Sequence, residues 1–178
     1  MRKLKLEELN RVSIEEFKQQ KKIPLIVVME NIRSLNNVGT IFRTCDAFNV
    51  EAVYLVGITA KPPHREIQKT ALGATESVDW LYFSTSEEAL ADLKSKGYYI
   101  GSVEQAEGSK EVSELQNQPI DKLAVVFGNE VTGVEQSTID SSDTCIEIPQ
   151  YGTKHSLNVA VCAGIVVWEG FKLLSEKI

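Results

Sequence analysis

The sequence predicts an α/β domain with a mainly parallel, six-stranded sheet and helices on both faces. Six short runs rich in β-branched and apolar residues recur, at 23–29, 50–57, 78–83, 98–103, 122–128 and 143–149. Most are continuous rather than alternating, as strands covered on both faces are. Segments with helical periodicity separate them, and strands alternating with helices build parallel sheets.

Each element has its own signature. Ser13-Ile14-Glu15-Glu16 has capping-box spacing and heads a basic N-terminal helix. Residues 38–48 place Val38, Ile41, Phe42 and Cys45 on one helical face. The segment 86–97 offers Ser86 as a cap, acids early, lysines late and Gly97 as a stop, in line with the helix dipole. The last helix runs from about Ser156 to Leu174 and is apolar on every side, so it must be covered. A chain of 178 residues suits one domain. The expected division is a basic helical extension at 1–22 and a single domain at 23–178.

Charge and cysteines narrow the classes. The net charge of −6 speaks against nucleic acid when taken alone. Its distribution does not, because seven basic residues against four acidic ones give residues 1–22 a balance of +3 and leave −9 for the remainder. A second basic stretch sets Lys61, Arg65 and Lys69 against Glu66 alone. Cys45, Cys145 and Cys162 form no CxxC pair, which argues against a disulfide framework and a zinc site and fits a cytoplasmic protein. No metal is expected, since His64 and His155 lack ligand spacing. No apolar run is long enough to span a membrane, and the first residues lack the apolar centre of a signal peptide.

Ligands of such sheets sit at the carboxyl ends of the strands. Three polar clusters follow strands there: NIRSLNNVGTIFR after the first, GNEVTG after the fifth, and PQYGTKHSLN after the sixth. No GxGxxG, GxxxxGK[ST] or GxSxG occurs, which disfavours a dinucleotide site, a P-loop and an α/β-hydrolase.

Together the clusters resemble the SpoU/TrmH class of the SPOUT superfamily, S-adenosylmethionine-dependent RNA 2′-O-ribose methyltransferases. The resemblance runs through Asn37 six residues before Arg43, through Gly128-Asn-Glu130-Val-Thr-Gly133, and through Ile148-Pro149 followed by Ser156-Leu157-Asn158-Val159. It implies a deep trefoil knot near the C-terminus and a homodimer. It also implies S-adenosylmethionine as cofactor, held by main chain near Val103, Gly128, Ile148 and Leu157 with Ser156 nearby. Arg43 is the implied catalytic group. Because a guanidinium keeps its proton, Arg43 is read as gripping the phosphate beside the target ribose and stabilising the alkoxide.

Asn37, Glu130, Ser156 and Asn158 complete the expected site. Asn37 fixes the loop before its helix or caps the first turn, and Ser156 and Asn158 orient Arg43 or the ribose, or cap the last helix. Glu130 anchors Asn37 or Arg43, or closes its own turn. Lys61, Arg65 and Lys69 are expected on RNA phosphates with Arg43. Only about 22 residues precede the first strand, so no separate RNA-binding domain is expected, which favours tRNA over rRNA. Two rival readings are a non-catalytic RNA-binding or assembly module of the same fold and a flavodoxin-like nucleotide binder.

Overall fold

The computed structural model describes residues 1–9 and 11–175. Residues 10 and 176–178, which the predicted extension and domain include, lie outside the described residues. Among the described residues seven strands form one sheet: β1 (Ile23–Glu30), β2 (Val50–Val56), β3 (Asp79–Phe83), β4 (Tyr99–Val103), β5 (Lys110–Glu111), β6 (Leu123–Phe127) and β7 (Thr144–Glu147). Their order is β3-β2-β1-β6-β4-β7-β5, and every pairing is parallel. The seventh strand corrects the expected six. It is β5, two exposed residues on β7, too short to carry any apolar pattern.

Among the described residues, seven α-helices accompany the strands: α1 (Ile14–Gln19), α2 (Leu35–Ala47), α3 (Arg65–Ala71), α4 (Ala74–Ser77), α5 (Ser86–Ser95), α6 (Gln136–Ser141) and α7 (Val159–Leu174). They cover both faces. Leu25, Val27 and Met29 pack with Val38, Ile41 and Phe42 of α2 and with Ala163, Val166 and Val167 of α7. Ile26 and Val28 point the other way, to Ala89, Leu90 and Leu93 of α5. Successive side chains of a strand alternate between faces, so a strand covered on both is apolar at successive positions, as residues 25–29 of β1 are. The outer strands are less covered: both residues of β5 are exposed, and in β3 Leu81 is 47% exposed and Tyr82 39%.

Several boundaries differ from the expected ones. In residues 1–22 the helix headed by the Ser13 capping box is present as the short α1, and a 3-10 turn at Leu6–Leu9 that was not expected precedes it. Helix α5 is capped by Thr85, not Ser86, whose hydroxyl instead bonds Glu30. Helix α7 starts at Val159 under an Asn158 cap, so Ser156 precedes it. Its surface is also less covered than its composition suggests: Val161 is 52% exposed and Trp168 45%. Among the described residues no helix is long and apolar enough to cross a membrane.

Helices α2 and α3 meet without a gap at Gly39. A Cβ there would lie 2.2 Å from the Ile67 carbonyl oxygen and 2.2 Å from the Thr70 hydroxyl. Gly39→Ala is expected to lower unfolding stability by about 1–3 kcal/mol, the usual cost of overpacking. Urea denaturation checks it, and an unchanged midpoint would mean that the helices separate freely.

Candidate active site

β6 ends at Phe127, and the chain then doubles back within five residues. Asn129 and Gly133 exchange main-chain hydrogen bonds at 3.0 and 2.9 Å. Gly128 must be bare for this, since a Cβ would sit 2.1 Å from Val134 N. Gly133 has φ +72°, a conformation that glycine adopts without strain. Asn129 Oδ1 accepts from Val131 N at 2.8 Å and closes the turn. These constraints account for the Gly-x-Glu-x-x-Gly spacing, and they present Glu130 to the neighbouring loop.

The Glu130 carboxylate reaches the loop that follows β1. It accepts from Arg33 N, Ser34 N and Asn37 Nδ2, each at 2.9 Å. Burial alone would raise its pKa. The donors of Arg33, Asn37 and Ser34 reverse this, so the group titrates below the usual carboxylate range. Asn37 in turn accepts at Oδ1 from Asn158 Nδ2 at 3.2 Å. Asn158 Oδ1 caps α7, accepting from Ala160 N at 2.9 Å and Val161 N at 3.3 Å. One run of bonds, Glu130–Asn37–Asn158, therefore joins all three polar clusters. Asn37 is not itself the cap of α2; Ser34 is.

A cavity of about 1050 Å³ opens beside this run, at the carboxyl ends of β4, β6 and β7. Val103, Gly128, Ile148, Ser156 and Leu157, the five expected cofactor residues, all line it. Glu130 and Asn158 line it too, whereas Asn37 stands just outside. Ser156 is exposed and outside the bonded run. Arg43 is not brought to the others within one chain. It lies six residues beyond Asn37 on α2, about 9 Å along the axis, is exposed, and is absent from the cavity lining. Nor does it pair with Asp46, which accepts from Ser77 Oγ.

The basic stretch is partly neutralised. Lys69 pairs with Glu66 at 2.7 Å, His64 caps α3 through Nδ1, and Lys61 sits 4.1 Å from the centre of the Tyr82 ring. Lys61 and Arg65 are left facing solvent.

Sequence reasoning missed the residues that hold the edge together. Glu30 is fully buried and accepts from Glu135 N at 2.8 Å, from Thr138 Oγ1 at 2.5 Å and from Ser86 Oγ. Asn31, at φ +54°, donates to Glu135 at 2.8 Å, accepts from Ile58 N at 3.1 Å, and takes Asn129 Nδ2 on its carbonyl at 2.8 Å. A carboxylate and an amide closing a continuous apolar strand were the available signal. Cys162, in the cavity wall, is raised to about 11 by burial and then by Glu104, so it stays a thiol at neutral pH. Among the described residues no cluster of His, Cys, Asp and Glu is placed to hold a metal ion.

Fold and site together define an α/β domain of the kind that binds ligands at the carboxyl ends of its parallel strands. A sequence model of the SpoU rRNA Methylase family matches residues 24–168, and the chain belongs to that family. It is similar to the 23S rRNA (guanosine-2′-O-)-methyltransferase RlmB of Neisseria meningitidis, at 32% identity over 87% of this chain and 62% of that protein. To the tRNA (guanosine(18)-2′-O)-methyltransferase of Thermus thermophilus it is 31% identical, over 91% of this chain and 81% of the other. The crystal structure of the A. aeolicus TrmH/SpoU tRNA modifying enzyme superposes with a TM-score of 0.80 and 28% identity, covering 92% of this chain and 82% of that one. The chain spans 62–66% of the length of the RlmB relatives it matches.

Proposed function

We propose that the chain is an S-adenosylmethionine-dependent RNA methyltransferase acting on a ribose 2′-hydroxyl. The observation that carries this reading is the bonded run Glu130–Asn37–Asn158 at the mouth of a cavity lined by every expected cofactor residue. The names of both curated relatives, each a guanosine 2′-O-methyltransferase, support the same chemistry.

The residues present fit the donor. The cavity is large enough for a nucleoside with an amino-acid tail, its wall includes Phe127, Ile146 and Leu157, and its charged side chains are acidic. Val103, Gly128, Ile148 and Leu157 would hold it, with Ser156 beside them. Bound there, the donor supplies an electrophilic methyl group on a cationic sulfur. The chain's own part is position: Asn158 fixes the start of α7, Asn37 fixes α2 against it, and Glu130 locks both to the sheet. A transfer that needs an in-line approach gains most from such fixing.

A homodimer belongs to the proposal. Val161, Gly164 and Trp168 share one side of α7, and Trp168 with Phe171 and Phe48 offers an aromatic surface. Because Arg43 is absent from the lining of this cavity in its own chain, the second copy is inferred to bring its Arg43 to the mouth. The knot is also part of the reading, supported by α7 packing back on α2 and β1 after β7; a crystal structure tracing 143–160 outside the neighbouring loop would remove it. Residues 1–22 are proposed as an accessory RNA contact beside the domain at 23–178, and tRNA as the preferred substrate in the cytoplasm.

Titration calorimetry with S-adenosylmethionine and S-adenosylhomocysteine tests the donor, and methylation of tRNA and rRNA transcripts with nucleoside analysis tests the acceptor. Binding at one site per chain followed by a 2′-O-methyl product sustains the proposal. No binding of either ligand, with RNA still bound, would leave a non-catalytic RNA-binding module. Replacing Lys61, Arg65 and Lys69 with Ala is expected to weaken RNA binding about tenfold and to lower the salt slope by about two, less than three full contacts because Lys69 is paired. Unchanged affinity and slope in a salt series would remove this stretch from the footprint.

A further inference from the structure

The charge on the cavity wall is one-sided. Glu104, Glu107, Glu130, Asp140 and Glu147 line it with His155, and no lysine or arginine does. Glu104 is held at both oxygens by main-chain amides of the cavity wall itself, whereas Glu130 is turned to the loop after β1. Glu104 Oε1 accepts from Gln105 N at 2.9 Å and its Oε2 from Val134 N at 3.1 Å. The carboxylate is thus wedged between the end of β4 and the loop after β6. Gly133 leaves the room, for a Cβ there would lie 2.1 Å from Oε2. No ion pair among the described residues involves Glu104. A fixed, unpaired negative charge therefore faces the space that holds the donor.

We propose that Glu104 sets charge selectivity in this cavity, holding the cationic sulfonium donor in preference to its neutral thioether product. The proposal rests on the donor assignment made above. In the reaction the ribose oxygen forms its bond to the methyl carbon and gives up its hydroxyl proton to water, the carbon–sulfur bond breaks with its electron pair staying on sulfur, and the positive charge leaves the ligand as that proton. A carboxylate in a half-enclosed cavity attracts the ligand before transfer and ceases to attract it afterwards. Since positive charge at sulfur is already falling in the transition state, Glu104 favours the loaded state at least as strongly. It lowers the donor KM and does not raise kcat.

The test is calorimetry on the full chain with S-adenosylmethionine, S-adenosylhomocysteine and sinefungin, which carries an amine in place of the methyl sulfonium. Glu104→Gln is expected to weaken S-adenosylmethionine and sinefungin about tenfold while S-adenosylhomocysteine changes less than twofold. Glu104→Asp, which keeps the charge, should restore most of the discrimination. Thermal unfolding of both variants checks the fold. Equal losses for charged and neutral ligands would make Glu104 a loop tie and overturn the proposal, as would no loss at all. If the wild-type chain binds none of the three, the donor assignment itself fails, a separate result.

Discussion

Arg43→Ala should lower the rate of RNA methylation by about 10²–10³-fold, the scale lost with one charge-stabilising donor, with donor affinity within twofold of wild type. The second half follows from the position of Arg43 outside the cavity lining. Calorimetry and single-turnover methylation separate the two effects, and a matching fall in donor affinity would return Arg43 to a structural role on α2. Mixing variants then tests which copy the arginine serves. In a heterodimer of Arg43→Ala and Asn158→Ala chains, an arginine acting across the seam leaves one intact site. Random mixing should recover about a quarter of wild-type activity. An arginine acting within its own chain recovers none.

Glu130→Ala should cost about 1–2 kcal/mol of stability and about 10²-fold in rate. Three donors, Arg33 N, Ser34 N and Asn37 Nδ2, lose a charged acceptor. Water replaces part of it at this exposed site, which keeps the stability cost modest. The rate suffers more, because Asn37 and through it Asn158 are released, and small misplacements cost about two orders of magnitude. The pH dependence has a definite sign. The folded-state pKa of Glu130 is depressed, so its contribution is complete above the unfolded carboxylate value of about 4.3 and is lost as pH falls through the folded value. Urea melts of wild type and Glu130→Gln should differ by a constant amount from pH 5 upward and converge in stronger acid; parallel curves down to pH 2 would sink this assignment.

Much of the architecture was legible because it is written locally. The continuous runs of β1 and β6 announce strands buried on both faces, and Val38, Ile41, Phe42 and Cys45 announce the inner face of α2. The site was legible through spacing: Asn37, Glu130 and Asn158 stand at fixed offsets inside short motifs, and the structure puts them in one run of bonds. What escaped is what long-range bonding decides. Thr85 and Ser86 both look like caps, and the choice falls to Thr85 because Glu30, on another strand, takes the Ser86 hydroxyl. Glu30 itself bonds Glu135 across 105 residues, a separation that leaves no periodic trace. Arg43 shows the remaining limit, since the motif names the residue and the single chain does not complete its surroundings.

The Glu30–Asn31 clasp has a consequence for how this surface can change over generations. It grips the 129–135 turn by main-chain amides and by the side chains of Asn129, Glu135 and Thr138, while the residue at the tip, Val131, is 75% exposed and contributes only its backbone N–H to the turn. Ile58, 66% exposed, stands in the same relation to Asn31. The rim can therefore exchange its side chains without altering its outline. Divergence in what the rim recognises is uncoupled from the scaffold that keeps the cavity in shape, so new acceptor preferences are open to a lineage at little cost to folding.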